Sequence, residues 1–444
     1  MLQQKFFGKS SEKTTDLDQG QKLLFNEAED GSVIEPVDDK TENKDEFITV
    51  PEHKRKKTGR KPIPANIPRE ERLHDLPEEE KKCSCCGKER PRINEHTAEE
   101  LDIIPAEIKA IKHIYPIYGP CACEASRTKE EPEVIQAPAV PRIIPKSIVA
   151  PGLLAHILVS KFCDSLPFYR QEKMFDRIGI GIGRANMCNW TIQASSASGD
   201  ILEMMWQDSL CSELVQMDET TVQVLKEPGR AAESKSYMWV TVGYKGDKKI
   251  ILYHYHPSRS QQIPLTLLKG YTGYLQTDGY EGYDAAMKAL PDIIHVGCFA
   301  HARRKFVEAG CAGKNPGATH VALAYIQEIY KIEKILRNQG LAADEFVAGR
   351  KQKVIPVLEK FHDWLVLKRE QVPPSLKLGG AINYTLNEWP KLIRYLDAAC
   401  LTPDNNRAEN AIRPFVLGRK NWLFSDTPLG AHASAAFYSI IETA

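Results

Sequence analysis

The chain has 444 residues, a hydrophobic fraction of 42%, and 59 basic residues balanced by 59 acidic ones. This length allows about three domains of ordinary size. No stretch approaches the roughly 18–20 consecutive apolar residues of a membrane span, and the N-terminus lacks an apolar segment like that of a signal peptide. We therefore predict a cytoplasmic protein with no membrane partner. The neutral net charge excludes no other partner, because charge can be distributed unevenly along the chain.

Charge is indeed uneven over the first 79 residues. Residues 1–50 are polar, acidic towards their end and without periodicity, which predicts a disordered, acidic linker. Residues 51–79 form a basic, proline-rich arm, which can lie along DNA phosphates or in a minor groove. A solvated linker is the alternative. The residues of this arm that we predict to bind DNA are Lys54, Arg55, Lys56, Lys57, Arg60 and Lys61.

Two segments follow the arm before any strand is predicted. Residues 80–130 hold five of the eleven cysteines, and Cys83 and Cys86 are spaced as a zinc half-site with a glycine after them. A small zinc-finger-like module is therefore predicted here. Residues 145–210 show apolar residues at three- and four-residue spacing, broken by Pro167 and a glycine run, which predicts a helical region. We expect this helical region to bind DNA.

The apolar period then changes from 3.6 to about 2, which is typical of strands. Three strands are predicted, the last two joined by the tight turn "KGD". A short fourth strand, a helix over "DAAMKAL" and a fifth strand follow, and the fifth strand runs into a basic helix. Helical periodicity then returns, up to an asparagine-rich turn and an amphipathic helix. We predict a multidomain α/β fold with a mixed five-stranded sheet. Four strands lie in 213–225, 236–245, 249–258 and 273–283, and the fifth begins the segment "DIIHVGCFAHARRKFVEAG" (292–310).

Two aspartates stand at or near predicted strand ends, Asp218 in "VQMDETT" and Asp278 in "LQTDGYEGY". A carboxylate in such a place can emerge at the edge of a sheet, where sites usually lie. Two carboxylates brought together resist ionising together unless a cation neutralises them, so a metal site is one interpretation. For each aspartate taken alone, a turn-forming role is the alternative.

A third carboxylate, Glu409, follows the turn "PDNN" and begins an amphipathic helix. If this helix packs against the sheet, three carboxylates can hold two Mg²⁺ ions about 4 Å apart, the arrangement used in phosphodiester chemistry. Periodicity alone does not choose Glu409 over the other nearby acids, Asp404, Glu219 and Glu281.

Several motifs together carry a family resemblance. The set "MDET", "TDGYEGY", "HVGCFAHARRKF" and "DNNRAENAIRPFVLGRKNWLFS" resembles the insertion-sequence-66 family of DDE transposases, and the similarity extends from about residue 1 to the end. The resemblance implies an RNase H-like core in two parts, 211–312 and 401–444, interrupted by a helical insertion at 313–400. It also gives the catalytic, metal-binding roles to Asp218, Asp278 and Glu409.

The activity implied by this resemblance is that of a polynucleotidyl transferase. It would cleave DNA at the ends of a bacterial insertion sequence and join it to a target, using two Mg²⁺ ions that Mn²⁺ could replace. The implied partners are terminal inverted repeats, target DNA, further copies of the chain on paired ends, and small accessory proteins encoded by the same element. The protein would then be associated with the nucleoid. An inactive DNA-binding regulator and a general RNase H-like nuclease are the alternatives.

The chain also departs from the family pattern. We expect no coiled coil upstream, and the last helix, in "AAFYSIIETA", is expected to be cut short. The family usually completes its zinc site with a second Cys-x2-Cys, but here one residue separates Cys121 from Cys123, and Pro120 takes the other ligand position. The predicted Zn²⁺ ligands are Cys83, Cys86, Cys121 and Cys123, with Cys85 or His113 as possible substitutes. A zinc-free module is the alternative.

Basic residues near Glu409 are suited to bind phosphates, because arginine can make bidentate contacts. On its helix these are Arg407, Arg413, Arg419 and Lys420. In "AHARRKF", His301, Arg303 and Arg304 could face the DNA backbone or form a solvated helix face. We expect Asn405 and Asn406 to cap the helix. Trp422 is expected in the core, with stacking on an unpaired base as the alternative.

Overall fold

The structure, a computed structural model, describes residues 108–118, 135–136, 138–312 and 317–444. These residues divide between two compact units, one ending at residue 139 and one starting at residue 140. In the first, β1 (Ile117–Tyr118) pairs antiparallel with β2 (Ile135–Gln136). The predicted basic arm and the four cysteines predicted to bind zinc lie outside the described residues.

The second unit begins with four helices, in the region predicted to be helical. Helix α1 starts at a proline, which suits the first helical turn because its missing N–H has no partner there. Pro167 is the residue immediately before α2, and a glycine-rich segment separates α2 from α3. The four helices are α1 (Pro151–Phe162), α2 (Phe168–Arg177), α3 (Arg184–Ala197) and α4 (Gly199–Leu210).

A mixed five-stranded sheet follows, with strand order β5-β4-β3-β6-β7. Strand β4 runs antiparallel to both of its neighbours, whereas β3, β6 and β7 are mutually parallel. Gly246 in the β4–β5 hairpin has a φ of 60°, a left-handed conformation that glycine adopts without a steric cost. The five predicted strands are confirmed as β3 (Leu214–Gln223), β4 (Lys235–Lys245), β5 (Lys248–His256), β6 (Gly273–Gln276) and β7 (Ile293–Val296).

Two short helices flank β6: α5 (Gln262–Leu267) precedes it and α6 (Glu281–Met287) follows it. After β7 the chain is helical, and these helices share a hydrophobic cluster that includes Phe299, Ile326 and Phe361. They are α7 (Phe299–Ala312), α8 (Gly317–Arg337), α9 (Ala343–Gln371) and α10 (Lys377–Leu392), followed by one 3₁₀ turn (Ile393–Leu396).

A buried ion pair fastens this helical region to the chain that follows it. Arg350 on α9 has no exposed surface, and its Nε and Nη2 bind the Glu333 carboxylate on α8 at 3.0 and 2.8 Å. Its remaining donors reach the carbonyl oxygens of Tyr395 (2.6 Å), Ala398 (2.8 Å) and Leu401 (3.0 Å). The guanidinium therefore fixes the start of the 401–405 loop to the helices of the insertion.

The last two helices, α11 (Asn406–Trp422) and α12 (Pro428–Thr443), pack on the sheet. Side chains of α12 complete the edge strand β5: the hydroxyl of Ser439 accepts from Tyr253 N at 2.8 Å, and that of Thr443 accepts from Ile251 N at 2.9 Å. This contact covers backbone groups that an edge strand otherwise exposes. In the described part of the chain, we find no helix with both the length and the apolar character needed to cross a membrane.

Candidate active site

The sheet brings the two predicted aspartates to matching positions. Strands β3 and β6 are parallel neighbours, and Gln216 is paired in register with Gln276. Asp218 lies two residues after the first glutamine, and Asp278 lies two residues after the second. Because side chains two residues apart on a strand share one face, the two aspartates follow the same face of the sheet at its carboxyl edge.

The third carboxylate arrives on α11, which packs against β3. Glu409 lies in the first turn of this helix and is only 6% exposed. Burial raises the pKa of Asp218 well above its ordinary value, and the negative charges of Glu219, Glu409 and Asp278 raise it further. The three predicted carboxylates therefore lie close enough to interact, together with a fourth acid, Glu219.

The charge of the fourth acid, Glu219, is matched by a neighbouring cation, Arg259. Its Oε1 accepts from Arg259 Nε at 2.6 Å, and its Oε2 accepts from the Tyr283 hydroxyl at 2.7 Å. Arg259 also stacks on the ring of Tyr280, at 3.9 Å from its centroid. Adjacent residues of a strand point to opposite faces, but Glu219 still lies close enough for its charge to raise the pKa of Asp218. The Glu219 carboxylate is therefore held in place by Arg259 and Tyr283.

Two buried glutamines tie the loop before α11 to both aspartate-bearing strands. Gln216 Nε2 donates to Gln276 Oε1 at 2.6 Å and to the Asp404 carbonyl at 3.3 Å. Gln276 Nε2 donates to the carbonyl oxygens of Thr402 (2.7 Å) and Gly297 (3.2 Å). Sequence reasoning missed this pair, although "VQMD" and "LQTD" repeat the same spacing of glutamine before aspartate.

The glutamine pair gives a stability prediction. Gln276→Leu removes the donor to two buried carbonyl groups and leaves Gln216 without its acceptor, so we expect the free energy of unfolding to fall by about 1–3 kcal/mol. Urea denaturation measures this change. Gln352→Leu, at an exposed position on α9, is the control and should stay within about 0.5 kcal/mol. Equal losses in both variants would contradict a role for the buried pair.

The predicted capping of α11 by the asparagine side chains is wrong. The Asp404 carboxylate accepts from Asn406 N at 3.1 Å, while the Asn405 side chain makes no capping hydrogen bond. Asn405 is instead fully buried, and its Nδ2 donates to the carbonyl of Met217 at 3.1 Å. Because Met217 directly precedes Asp218, Asn405 fixes the start of the Glu409 helix against the first aspartate strand.

Helix α7 presents two of its predicted basic residues to Glu409. His301 Nδ1 lies 3.6 Å from Glu409 Oε1, and Arg304 Nη2 lies 3.7 Å from Oε2. Burial and the charge of Arg304 lower the pKa of His301 to about 4, so its ring is neutral at neutral pH. The thiol of Cys298, just before this helix, lies with a His301 nitrogen and a Glu409 oxygen in one group, all within 4.8 Å of one another.

Comparison with known proteins identifies the family. The model described as "Transposase IS66 family" matches residues 146–433, which include all three predicted acids. The chain belongs to the IS66 family of transposases. Two further IS66 models match upstream: "zinc-finger binding domain of transposase IS66" over residues 80–124, and "Transposase C of IS166 homeodomain" over residues 1–72. The similarity expected from about residue 1 onward is therefore confirmed, and it includes the segment for which we expected only a linker and a basic arm.

Relatives of this IS66 transposase occur in Sinorhizobium fredii. The uncharacterized protein y4hP is 30% identical over 410 residues, which cover 88% of this chain and 71% of y4hP. The uncharacterized protein y4jD is 30% identical over 392 residues, covering 86% of this chain and 74% of y4jD. Membership of the family makes this chain an enzyme that acts on nucleic acid, with DNA as its partner.

Two of the arginines predicted to bind phosphate on α11 of the transposase already contact the sheet. The Arg407 guanidinium lies over the ring of Tyr244, 5.3 Å from its centroid. Arg419 is half-buried and donates to the hydroxyl groups of Thr220 (3.1 Å) and Thr221 (3.3 Å) on β3. Arg419 thus helps to hold α11 on the strand that carries Asp218, and its contact with DNA stays a prediction.

The remaining predicted contacts lie further along the helix or on α7. Arg413 and Lys420 are exposed, and Arg303 on α7 is half-buried. Trp422 is half-buried, with Lys161 Nζ 4.2 Å above its ring and Tyr438 beside it. This position agrees with the expected packing of Trp422 against the core. Gly418 makes room for the indole, because a Cβ atom at residue 418 would overlap the Trp422 ring.

Proposed function

We propose that Asp218, Asp278 and Glu409 are the catalytic residues of a DDE transposase with an RNase H-like core. The observation that carries this proposal is the meeting of three buried or half-buried carboxylates from β3, from the end of β6 and from α11. Two antiparallel strand pairings followed by two parallel ones support the RNase H-like assignment. Membership of the IS66 family supports DNA cleavage and joining at the ends of an insertion sequence as the reaction.

The residues present fit a divalent cation. Carboxylate oxygens are the ligands that Mg²⁺ and Mn²⁺ prefer in proteins. The raised pKa of Asp218 has burial and three neighbouring carboxylates as its causes, and a cation among them would relieve this repulsion. Asp218, Asp278 and Glu409 would hold two ions, which when bound stabilise the attacking and leaving oxygens of an in-line displacement.

The proposed reaction has two steps of the same kind. Water first attacks a phosphodiester at the element end, and the bond to the 3′ oxygen breaks to leave a free 3′-hydroxyl. That hydroxyl then attacks a target phosphodiester, whose own 3′ oxygen leaves, so one bond forms for each bond that breaks. Arg304, which lies 3.7 Å from Glu409, and Arg303 on the same helix would bind phosphate oxygens of the DNA. Neither step needs a covalent bond to the protein.

Recognition of the element ends is assigned to the N-terminal part of the chain. The match of residues 80–124 to the family's zinc-finger model supports a Zn²⁺ site there. Cys83 and Cys86 would supply the regular pair of ligands, and Cys121 and Cys123 the irregular pair. The basic arm beside this module would follow the DNA backbone. Assembly of several copies on paired ends, accessory proteins and an association with the nucleoid belong to the same proposal.

A strand-transfer assay tests the proposed function. The purified chain is incubated with element-end DNA, target DNA and Mg²⁺, in parallel with Asp278→Asn. We expect joined product from the natural chain and none from the variant. Cleavage without joining would instead support a general nuclease. DNA binding with neither reaction would support a regulator, and in both cases the transposase proposal would be overturned.

A further inference from the structure

We propose that Cys298, His301 and Glu409 form a second metal site, for a soft divalent cation such as Zn²⁺. This site would share Glu409 with the magnesium site of the proposed function, and the inference rests on that function only for this sharing. Occupancy by Zn²⁺ would withdraw Glu409 from the two aspartates and inhibit the enzyme. The site would thus make transposition sensitive to the availability of zinc.

The geometry of the three ligands supports the site. The thiol of Cys298, a ring nitrogen of His301 and a carboxylate oxygen of Glu409 lie within 4.8 Å of one another. In tetrahedral zinc sites with bond lengths of 2.0–2.3 Å, ligand atoms lie roughly 3.3–3.8 Å apart. The three ligand atoms would therefore have to move closer together by at most about 1.5 Å to bind one Zn²⁺ ion. Cys298 immediately precedes α7, and His301 lies three residues further on, in the first turn of that helix.

Two further observations favour a metal over a simple hydrogen-bonded cluster. His301 Nδ1 is buried and makes no hydrogen bond among the described residues, although Glu409 Oε1 lies 3.6 Å away. Cys298 Sγ accepts a hydrogen bond from Asn405 N at 3.4 Å. A backbone donor to sulfur can orient a metal ligand from outside the site. Here the donor, Asn405, directly precedes the helix that carries Glu409.

Charge and ligand type separate this site from the acidic cluster. Binding would form a metal–sulfur bond as the thiol proton of Cys298 leaves to solvent, and the thiolate and the Glu409 carboxylate together would balance the two positive charges of the ion. Arg304 Nη2, 3.7 Å from Glu409, opposes the ion and would have to move away. Sulfur and imidazole ligands favour Zn²⁺, whereas the oxygens of Asp218 and Asp278 favour Mg²⁺.

Metal counting on the full chain tests the site without any activity assay. Zn²⁺ is counted by equilibrium dialysis, and Co²⁺ serves as a spectroscopic probe through its thiolate charge-transfer absorption. We expect Cys298→Ser to bind one ion fewer than the natural chain and to lose part of this absorption. Cys211→Ser, which removes an exposed thiol after α4, should match the natural chain. Equal ion counts in the natural chain and Cys298→Ser, both with native circular dichroism, would overturn the proposal.

An inhibition series tests whether Glu409 is shared. Each protein's Mg²⁺-dependent cleavage is measured at rising Zn²⁺ and normalised to its own zinc-free rate. We expect the Zn²⁺ concentration for half-inhibition to rise at least about tenfold in Cys298→Ser and in His301→Gln. His301→Gln changes a partly exposed side chain, so it still tests the site if the variant of the buried Cys298 misfolds. An inhibition curve unchanged from that of the natural chain would overturn the sharing of Glu409 between the two metal sites. If the natural chain does not cleave DNA in Mg²⁺ alone, the proposed function is overturned, and the Zn²⁺ count then tests the second metal site by itself.

Discussion

We expect Glu409→Gln to lower the rate of DNA cleavage by at least about a thousandfold while the protein still binds DNA. The substitution keeps the shape of the side chain and removes the charge that the third carboxylate brings to the proposed metal site. Metal-assisted stabilisation of an in-line displacement contributes several kcal/mol, and each 1.36 kcal/mol changes a rate tenfold. Single-turnover cleavage of element-end DNA in Mg²⁺ measures the rate, and fluorescence anisotropy measures binding.

Glu281→Gln is the matched control for this experiment. Glu281 lies in "TDGYEGY", only three residues after Asp278, but its side chain is exposed in the first turn of α6. Loss of a charge at a helix N-terminus costs about 0.3–1 kcal/mol, so cleavage should stay within about threefold of the natural rate. If Glu409→Gln also retained cleavage within tenfold, Glu409 would not be the third ligand, and Asp404 would be the next acid to test.

The second large effect is expected in the helical insertion. Arg350→Ala leaves the buried carboxylate of Glu333 with the partly exposed Arg337, at 2.7 Å, as its remaining ion-pair partner, and it removes three hydrogen bonds to carbonyl groups. Removing one partner of a buried ion pair costs about 3–5 kcal/mol. We therefore expect the free energy of unfolding to fall by this amount in urea denaturation. Cleavage should also slow, because Arg350 holds Leu401 at the start of the loop that leads to Glu409.

Two further variants make the Arg350 prediction specific. Arg369→Ala removes an exposed arginine from the last turn of the same helix and should change the free energy of unfolding by less than about 0.5 kcal/mol. The double variant Arg350→Met with Glu333→Leu replaces both charges by apolar groups. Such a replacement of a buried ion pair often changes the free energy of unfolding little. It should therefore recover most of the lost stability. A loss below about 1 kcal/mol in Arg350→Ala would contradict the buried ion pair.

The strands could be predicted from the sequence because their signals are local. Alternation of apolar and polar residues indicated five strands, and the turn "KGD" indicated the β4–β5 hairpin. The meeting of the three acids could not be predicted in this way. It depends on contacts between residues far apart in the chain, and only the family resemblance singled out Glu409 from the acids around it.

The missed contacts are of the same long-range kind. Asn405 was expected to cap its own helix, as its position before the helix suggests, but its side chain binds Met217, 188 residues away in the chain. Glu219 is matched by Arg259, 40 residues away, and no local pattern indicates such a pair. The glutamines before the two aspartates had a sequence signal, the repeated Gln-x-Asp, but a polar residue in a strand is ordinarily taken to face solvent.

The order of the elements has a consequence for when the enzyme becomes active during its synthesis. Strands β3 and β6 lie within one stretch of chain, so the two aspartates can meet as soon as the sheet forms. Glu409 is made 131 residues after Asp278 and must dock on Gln216 and Gln276 through its preceding loop. Contacts of such long sequence separation form slowly. With the three acids as the proposed metal ligands, a nascent chain would therefore hold both aspartates but no third ligand, and we expect it not to cut DNA until α11 has left the ribosome and docked on the sheet.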